Sequence, residues 1–473
     1  MKGLLAALVL VATSDAEHHV VKGAVVDVLP RHTSTAADAA VELWASVGTS
    51  KGRHLERLFP STGEGARLVA VPRTATFVAA CPDAAGVDVL QFVDDRGVVA
   101  ADGARVLTTR PLTRVPDPAQ LFVADLCPRA LPGEMRLPVE EGVLVRAPDG
   151  ATTTLPFDHR ARAFSGRMHR GFRPARTYAA AVSLYAPRLY DVDVDGDGAL
   201  DLVVSHEERM VVFPRRDGKL SKDLLVEIDL VRALGLKSVD DVDLRTLVGD
   251  VDGDRRADLV IGVTAGALPE RSSTWLLSTA RGGAPLGARA QVLDGEGLIA
   301  PLAVVTRRGA PHVLFADVDT SMMSLGAVLL SGSVDVQTSL RDASGARRKG
   351  PVLGAAVDVR RARMVGALPI ADVDLDGDGV SDLFDVGIPG RAFVYRGTAE
   401  GYETSPAFEL SVPTFEHIVS LKDERVIVLV GSPDVRSSLA STRVAIVRGE
   451  RFTRRDDARG PRERGGDVDM GRR

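Results

Sequence analysis

The sequence has few aromatic residues and no strong excess of one charge. Aromatic residues make up 4% of the 473 residues, and the formal net charge is -5. Such a balanced composition gives no broad basic field, so nucleic acid and anionic membranes are not expected as partners. After the N-terminus, no apolar run approaches the roughly 20 residues that a membrane-spanning helix needs. We therefore expect no transmembrane segment.

The first sixteen residues have the pattern of a secretory signal peptide. Lys2 precedes an apolar run over residues 4–12, and the small residues Ser14 and Ala16 follow it. This run is too short for a membrane anchor, and no cysteine near the expected cut could carry a lipid. We predict a signal peptide at residues 1–16, and a product that is secreted or held in a periplasm or at the cell surface.

Only two cysteines occur, Cys81 and Cys127, and each precedes a proline. In an oxidising compartment the two could form a disulfide. The alternative is that both are small buried apolar residues without a bond. The sequence leaves both interpretations open.

Short apolar runs separated by Gly, Pro and Asp fill residues 66–450, which is typical of β-strands. Residues 36–47 and 221–236 are the exceptions, where short helices or loop insertions are expected. Residues 451–473 carry mixed charge with almost no apolar residue, so we predict a disordered, solvated tail. The prediction is an all-β protein.

Acidic stretches beginning at Asp193, Asp250 and Asp374 suggest an internal repeat. The first two are 57 residues apart, and the last two are 124 apart, about twice that spacing. Weaker units can be placed near Asp83, Asp125, Asp317 with Asp319, and Asp434. Seven β units of this period predict a seven-bladed β-propeller, with six or eight blades less expected. Residues 17–65 either complete a blade, as a closing strand would, or stand apart.

The three acidic stretches share one register. Counted from the first aspartate, carboxylates fall at positions 1, 3, 5 and 9: Asp193, Asp195, Asp197, Asp201; Asp250, Asp252, Asp254, Asp258; Asp374, Asp376, Asp378, Asp382. Alternating hard oxygen ligands are what Ca²⁺ prefers, with a main-chain carbonyl at position 7, which is Ala199, Arg256 or Val380. We predict two to three calcium sites, the second being the weakest because Arg255 and Arg256 could neutralise its carboxylates.

Two other structures could account for these stretches. An EF-hand needs a glutamate at position 12 and flanking helices. Position 12 is Val204, Ile261 or Asp385, and strand-like residues follow, so an EF-hand is excluded. A solvated acidic turn is the simpler alternative, since Asp-Gly steps commonly form turns. The threefold recurrence in one register favours the metal.

Residues 369–397 resemble the FG-GAP repeat of integrin α-subunit propellers, which also occurs in bacterial VCBS repeat proteins. The match covers the acidic motif, the segment "GIP" at residues 387–389 and the strand "AFVYRG". It is strong in three repeats and weak or absent in the other four. The resemblance implies a seven-bladed propeller with Ca²⁺ in hairpin loops on one face of the ring.

No nucleophile, zinc-protease, phosphate-loop or dinucleotide motif occurs. The adjacent His18 and His19 are expected in a solvated tail rather than as metal ligands, and His206, Glu207 and Glu208 in a hairpin turn. We therefore predict an exported, calcium-binding module that binds a protein or glycan, expected to be monomeric and not an enzyme. The alternative is a secreted hydrolase or lyase that uses the central channel of the propeller.

Overall fold

The computed structural model describes the chain at residues 16–33, 41–49, 52–59, 67–83, 85–111, 121–123, 126–157, 187–206, 209–233, 242–265, 271–277, 290–296, 298–318, 332–358, 363–365, 370–412, 415–421, 425–431, 441–449 and 452. These residues form 35 strands and one helix of four residues. The all-β prediction is confirmed.

The N-terminal half forms four sheets. The first has the order β2-β3-β4-β5, with β2 (Ala24–His32), β3 (Val41–Thr49), β4 (Gly52–Leu58) and β5 (Leu68–Ala70). The second has the order β10-β6-β7-β8-β9, with β6 (Phe77–Pro82), β7 (Asp88–Asp94), β8 (Gly97–Ala100), β9 (Arg105–Thr108) and β10 (Phe122–Val123). The third contains β11 (Met135–Val139), β12 (Gly142–Arg146) and β13 (Thr152–Pro156). The fourth has the order β14-β15-β16-β19, with β14 (Arg188–Val192), β15 (Asp201–His206), β16 (Arg209–Phe213) and β19 (Val226–Asp229). The strands β17 (Arg215–Arg216) and β18 (Lys219–Leu220) form a separate small hairpin.

The C-terminal half forms four more sheets. The fifth contains β20 (Val242–Gly249), β21 (Asp258–Ala265), β22 (Arg271–Leu277) and β23 (Ala290–Glu296). The sixth contains β24 (Leu298–Arg307), β25 (Ala310–Val318), β26 (Ser333–Arg341), β27 (Arg347–Asp358) and β28 (Arg363–Val365). The seventh contains β29 (Ile370–Val373), β30 (Asp382–Asp385), β31 (Arg391–Tyr395) and β32 (Phe408–Ser411). The eighth has the order β1-β35-β34-β33, with β33 (Phe415–Leu421), β34 (Val426–Gly431), β35 (Ser441–Arg448) and β1 (Glu17–Lys22).

The hydrophobic core is divided among the sheets in cyclic order. Each of eight clusters of buried residues draws its members from two consecutive sheets. One cluster joins the eighth sheet to the first, through residues such as Val428 and Ala45. Small sheets of this kind cannot bury both faces alone, so each depends on its two neighbours. The eight sheets exceed by one the seven units expected from the acidic spacing.

The N-terminal strand completes the last sheet. β1 pairs antiparallel with β35, with Glu17 opposite Ile446 and Lys22 opposite Ser441. The following strand β2 already belongs to the first sheet, and the Thr442 hydroxyl donates to the carbonyl of Gly23 at 2.8 Å between them. Residues 17–65 therefore contribute to two sheets at the point where the packing order closes.

Two hairpins contain a glycine that no other residue could replace without strain. Gly97 begins β8 at φ 124° and Gly142 begins β12 at φ 146°. A Cβ atom on Gly97 would lie 2.1 Å from the carbonyl oxygen of Leu107, and one on Gly142 would lie 2.0 Å from that of Leu155. Only glycine combines this backbone angle with so close an approach of the next strand.

The weaker units predicted from the sequence are only partly in register with the sheets. Asp83 lies in the turn between β6 and β7, as a loop equivalent should. Asp317, however, lies inside β25, and the turn before that strand contains Arg308 and Gly309 instead. Asp125, Asp319 and Asp434 lie outside the described residues. The acidic spacing predicted a repeat but misplaced the member at Asp317.

The expectation of a short helix or a loop insertion is wrong for residues 36–47 and confirmed in part for residues 221–236. The described part of residues 36–47 is strand β3, in which Trp44 is wholly buried. Residues 221–236 contain β19 and then the helix α1 (Leu230–Ala233), a single turn begun by Asp229, whose Oδ1 accepts the N–H of Arg232 at 2.9 Å.

The two ends differ from their predictions where they are described. Residues 1–15 lie outside the described residues, and Ala16 packs in the core cluster of the seventh and eighth sheets. Phe452 was assigned to the solvated tail but is 1% exposed in the same cluster, edge-on to Phe408 with ring centroids 4.6 Å apart. The rest of the tail, residues 453–473, lies outside the described residues.

The two cysteines form a disulfide. Cys81 lies in β6 and Cys127 precedes β11, with Cα atoms 5.2 Å apart, so the bond joins the second sheet to the third. Disulfides persist in oxidising compartments. Among the described residues, no helix combines the length and the apolar character that crossing a bilayer requires.

Candidate metal centres in the acidic loops

The structure places the three predicted acidic loops at equivalent positions. Each loop connects the first strand of its sheet to the second: β14 to β15, β20 to β21, and β29 to β30. In each case the aspartate at position 9 is the first residue of the second strand: Asp201, Asp258 or Asp382. The loops of the fourth and fifth sheets touch, because the Ala257 N–H donates to the carbonyl of Asp193 at 2.7 Å.

In each loop, the aspartate at position 1 accepts hydrogen bonds from two backbone N–H groups of the same loop. Asp193 accepts the N–H of Gly196 through Oδ1 at 2.6 Å and the N–H of Gly198 through Oδ2 at 2.9 Å. Asp250 and Asp374 accept the N–H groups of the equivalent positions 4 and 6, at distances between 2.6 and 3.0 Å. A carboxylate has about four lone-pair sites, so two amide bonds leave room for a cation.

The aspartate at position 9 is a buried anchor, a role that its prediction as a simple ligand missed. Asp201 is 0% exposed, and its oxygens accept the N–H of Val194 at 3.0 Å and of Arg215 at 2.9 Å. Asp382 accepts the equivalent bonds from Leu375 and Gly397, both at 2.8 Å. The carboxylate therefore links the start of the loop to the residue two positions after the third strand of the same sheet, Arg215 or Gly397.

Three carboxylates converge in every loop. The groups whose ligand atoms lie within 4.8 Å of one another are Asp193, Asp195, Asp197; Asp250, Asp252, Asp254; Asp374, Asp376, Asp382. Positions 1 and 3 are common to all three groups, whereas the third member is position 5 in the first two loops and position 9 in the last. The carbonyl donors predicted at position 7 belong to half-buried residues, Ala199, Arg256 and Val380.

Burial and neighbouring negative charge raise the pKa of the aspartate at position 9 in the first and last loops. Burial raises the pKa of Asp201, with a further contribution from Asp195 and Asp197. Burial likewise raises the pKa of Asp382 to about 6, against the opposing bond from Gly397 and together with the charge of Asp376. Ionised loops are thus unfavourable by themselves, and a divalent cation bound among these oxygens would remove the repulsion.

Arginines compete for the same oxygens in two of the loops. The guanidinium of Arg216 contacts both Asp195 and Asp197, and Arg396 Nε lies 3.2 Å from Asp376 Oδ2. Arg216 is well exposed, so this ion pair is weak and a divalent ion can replace it. No local sequence pattern marks Arg216 as a loop contact, because it lies 19 residues after Asp197 in the chain.

Two other arginines brace the loop of the preceding sheet. Arg256, expected to neutralise its own loop, lies over Gly196 of the first loop, where a Cβ atom would be 2.5 Å from its Nε. Arg425 lies over Gly377 in the same way, donating to the carbonyls of Asp374 at 2.8 Å and Leu375 at 2.6 Å. Both arginines lie just before the second strand of their own sheet and contact the acidic loop of the sheet before it. The same contact therefore occurs between the fourth and fifth sheets and between the seventh and eighth. Arg255 adopts φ 70° in place of the glycine at position 6.

Asp385, at position 12 of the last loop, is a buried strand residue rather than a loop ligand. It is 2% exposed, and its Oδ1 accepts the N–H of Gly387 at 3.0 Å. Burial raises its pKa from 3.8 to about 6. A raised pKa means that the folded state holds the proton more tightly than the unfolded state. The resulting stability is fully present below a pH of about 4 and is lost as the pH rises through about 6.

We therefore predict a pH effect for Asp385→Asn, which cannot titrate. Measured by urea unfolding in chelator, the free-energy difference between variant and wild type should change by about 2 to 3 kcal/mol between a pH of about 4 and about 7, in favour of the variant at the higher pH. Asp335→Asn, at an exposed position of β26, should give no such change. Parallel curves for wild type and Asp385→Asn would contradict the prediction.

The histidines flagged in the sequence also have defined places. His18 and His19 were expected in a solvated tail, but both lie in β1, with His18 exposed and His19 half-buried. His206 ends β15 and pairs with Arg209 in a hairpin. Glu207 and Glu208 lie outside the described residues.

No protein-family model and no curated protein sequence matches this chain. Among solved structures, a lectin of Agrocybe aegerita that recognises terminal N-acetylglucosamine aligns at 15% identity over 83% of this chain and 80% of its own, with a TM-score of 0.39. A protein of Lactobacillus plantarum aligns at 16% identity over 82% and 97% of the two chains, with a TM-score of 0.35. These TM-scores are too low to assign a fold or a ligand.

Proposed function

We propose that the chain is an exported, calcium-stabilised β-propeller that binds a protein or glycan partner. The observation that carries the proposal is the convergence of three carboxylates within 4.8 Å in each of three equivalent loops. The cyclic order of the eight core clusters supports the propeller, because blades packed in a ring require the last sheet to contact the first. Eight sheets favour eight blades over the seven inferred from the FG-GAP resemblance.

Calcium would act on the fold rather than on a reaction. The ligands would be the carboxylates of positions 1, 3 and 5, joined by position 9 in the last loop, with the carbonyl at position 7. When bound, the ion supplies positive charge that fixes the hairpin, so metal binding becomes folding free energy. Extracellular calcium modules bind at roughly 10⁻⁴ to 10⁻³ M, so millimolar calcium would contribute on the order of 1 kcal/mol per site.

The enzyme alternative has one specific point of interest. His32 Nδ1 lies 3.1 Å from Oδ2 of the wholly buried Asp88, a pairing that can orient a catalytic histidine. The same oxygen, however, accepts Arg129 Nη2 at 2.7 Å and the His32 N–H at 2.7 Å. Such saturation is typical of a structural ion pair between sheets. We therefore favour a binding module, in which the sheets form a rigid platform and their loops contact the partner.

The calcium proposal is tested by thermal melts of the chain in millimolar Ca²⁺, in millimolar Mg²⁺ and in excess chelator. We expect the midpoint to rise with Ca²⁺ and not with Mg²⁺. Asp376→Asn removes a ligand of the last loop, so it should reduce the calcium increment by about one site, on the order of 1 kcal/mol. Asp149→Asn changes an exposed aspartate that caps a turn outside the loops, through Oδ1 and the Ala151 N–H at 2.8 Å, and should keep the full increment.

No midpoint shift with calcium would mean that the loops are solvated acidic turns. The partner is addressed separately, by probing glycan arrays and exported protein extracts with the calcium-loaded chain and with the chelated chain. Calcium-dependent binding that is lost on chelation would support the platform. If the chain cleaves a glycan but does not stay bound to it, the enzyme alternative would be favoured instead.

A further inference from the structure

An exposed group of cationic side chains lies at one end of the sixth sheet. It consists of Arg308, in the turn between β24 and β25, and of Arg347, Arg348 and Lys349 at the start of β27. The three arginine side chains are 62%, 40% and 48% exposed. We call these four residues the arginine patch. In the fourth, fifth and seventh sheets the first turn is an acidic loop, whereas in the sixth sheet it is cationic.

A carboxylate from the next sheet lies between two of these arginines. Glu400 belongs to the connection between β31 and β32 of the seventh sheet, and its side chain is 60% exposed. Its Oε2 accepts Arg348 Nη1 at 3.0 Å, and its Oε1 contacts Arg308 Nη2. The two guanidinium groups thus hold one carboxylate through different oxygens. Because these side chains are about half exposed or more, the ion pairs are weak, and the carboxylate of a ligand can take the place of Glu400.

The remaining positive charge at this end of the sheet is only partly neutralised. Arg347 contacts Asp317, but no described carboxylate forms an ion pair with Lys349. The adjacent Arg307 is 2% exposed and donates to two backbone carbonyls, at 3.0 and 2.8 Å. Its Nε has no hydrogen-bond partner, and none of the described carboxylates pairs with it. Cations without a matching anion favour the binding of an anionic ligand.

The chemistry of the arginine patch favours an acidic glycan over a protein partner. Protein interfaces usually contain apolar or aromatic anchors at their centre. The large apolar side chains that are exposed among the described residues are Val20, Leu68, Val89, Leu224, Val352 and Ile388. None of them lies in the turns that form the patch, and none is an aromatic ring on which a neutral sugar could stack. A uronic acid instead presents a carboxylate and hydroxyl groups, which guanidinium groups bind by charge-assisted hydrogen bonds.

We propose that the arginine patch binds an acidic glycan that contains uronic acids, and that Arg308 and Arg348 hold one of its carboxylates where Glu400 lies. Glu400 then competes with the ligand and lowers its affinity. This inference rests on the proposed function, in which the loops of a calcium-stabilised platform contact the partner. The acidic loop that begins at Asp374 belongs to the same sheet as Glu400. Calcium in that loop would offset charge that repels an anionic glycan, so the test is made in calcium.

The test is a calorimetric titration of the chain, in millimolar Ca²⁺, with two uronate oligosaccharides: a hyaluronan hexasaccharide and a trigalacturonate. We expect binding that weakens as the salt concentration rises. The double variant Arg308→Ser and Arg348→Ser should weaken it by about 10-fold or more. Glu400→Gln should tighten it by about 3-fold or more, a gain that misfolding cannot produce. Arg391→Ser, which changes an exposed arginine paired with Glu409 at the opposite end of β31, should leave the affinity unchanged.

Matched ligands and a stability measurement complete the design. The same oligosaccharides with their carboxylates reduced to alcohols should not bind. A poly-glutamate peptide tests for an acidic protein partner, and binding of the peptide without binding of either uronate would overturn the proposal. Failure of both uronates to bind, or an unchanged affinity in the double variant or in Glu400→Gln, would overturn it as well. Thermal melts of the same samples test calcium separately: a calcium-dependent midpoint without uronate binding would remove this inference and keep the proposed calcium sites.

Discussion

Replacing Glu134 with alanine is expected to lower the free energy of unfolding by about 3 to 5 kcal/mol, because it removes the carboxylate that two buried arginines share. Glu134 is 5% exposed, and both of its oxygens accept from Arg215, at 3.0 and 3.1 Å. Arg136, 2% exposed, donates to Oε1 of the same glutamate through Nε at 2.8 Å and Nη2 at 2.7 Å. Urea unfolding of the variant and the wild type measures the loss.

The same substitution should also disturb the first acidic loop, which begins at Asp193. Arg215 donates its backbone N–H to Asp201 at 2.9 Å and its Nε to the carbonyl of Leu200 at 2.9 Å, so Glu134 holds the residue that positions the end of the loop. Arg136 also bridges to Asp191, which lies in the strand before that loop, at 2.5 Å. We therefore expect Glu134→Ala to lose the stability that calcium adds through this loop. The stability that calcium adds through the loop at Asp374 should be kept.

Glu140→Ala is the matched control, since Glu134 directly precedes β11 and Glu140 lies exposed in the turn after it. Surface substitutions of this kind usually change stability by less than about 0.5 kcal/mol. A cost below about 1 kcal/mol for Glu134→Ala would show that solvent or another carboxylate compensates the arginines. Glu134→Gln keeps the size of the side chain and should fall between the control and the alanine variant.

The sequence predicted the parts of the fold that depend on local pattern. Val- and Leu-rich runs such as β34 became strands because β-branched and large aliphatic side chains suit a buried sheet. The acidic loops lie between the first and second strands of their sheets, since aspartates at positions 1 and 5 bond to backbone N–H groups only a few residues away. Such short-range bonds are encoded directly in the spacing of the residues.

The parts that depend on contacts distant in the chain were missed. Arg216 and Arg425 reach the loops from positions 19 and 51 residues away from their partners, and nothing in the local sequence marks them. The first sheet lacked an acidic marker and was not counted, so the spacing of aspartates predicted seven units where the described residues form eight sheets of three or more strands. His19 and Phe452 were assigned to solvated ends because no sequence pattern at either terminus shows that β1 pairs with β35 or that Phe452 packs in the core.

Removing the disulfide is the second change with a large expected effect. Cys81 and Cys127, 2% and 6% exposed, lie in the core cluster that joins the second and third sheets. The bond closes a loop of 46 residues, for which the chain-entropy model gives about 4 kcal/mol of stability. We expect the double variant Cys81→Ala and Cys127→Ala to lose about 2 to 4 kcal/mol in urea unfolding. Wild type treated with reductant should lose a similar amount.

The reductant should not affect the double variant, which separates loss of the bond from any other action of the reagent. The third sheet has only three described strands, so it depends strongly on its neighbours, and the loss should be largest there. Amide exchange should therefore rise first in β11 to β13. A typical domain is stable by only about 5 to 15 kcal/mol, so a loss of this size would raise the unfolded fraction by about 30-fold or more where thiols stay reduced. Higher yield of folded chain from an oxidising compartment than from a reducing one would follow, whereas equal yields and two free thiols in the folded chain would contradict the bond.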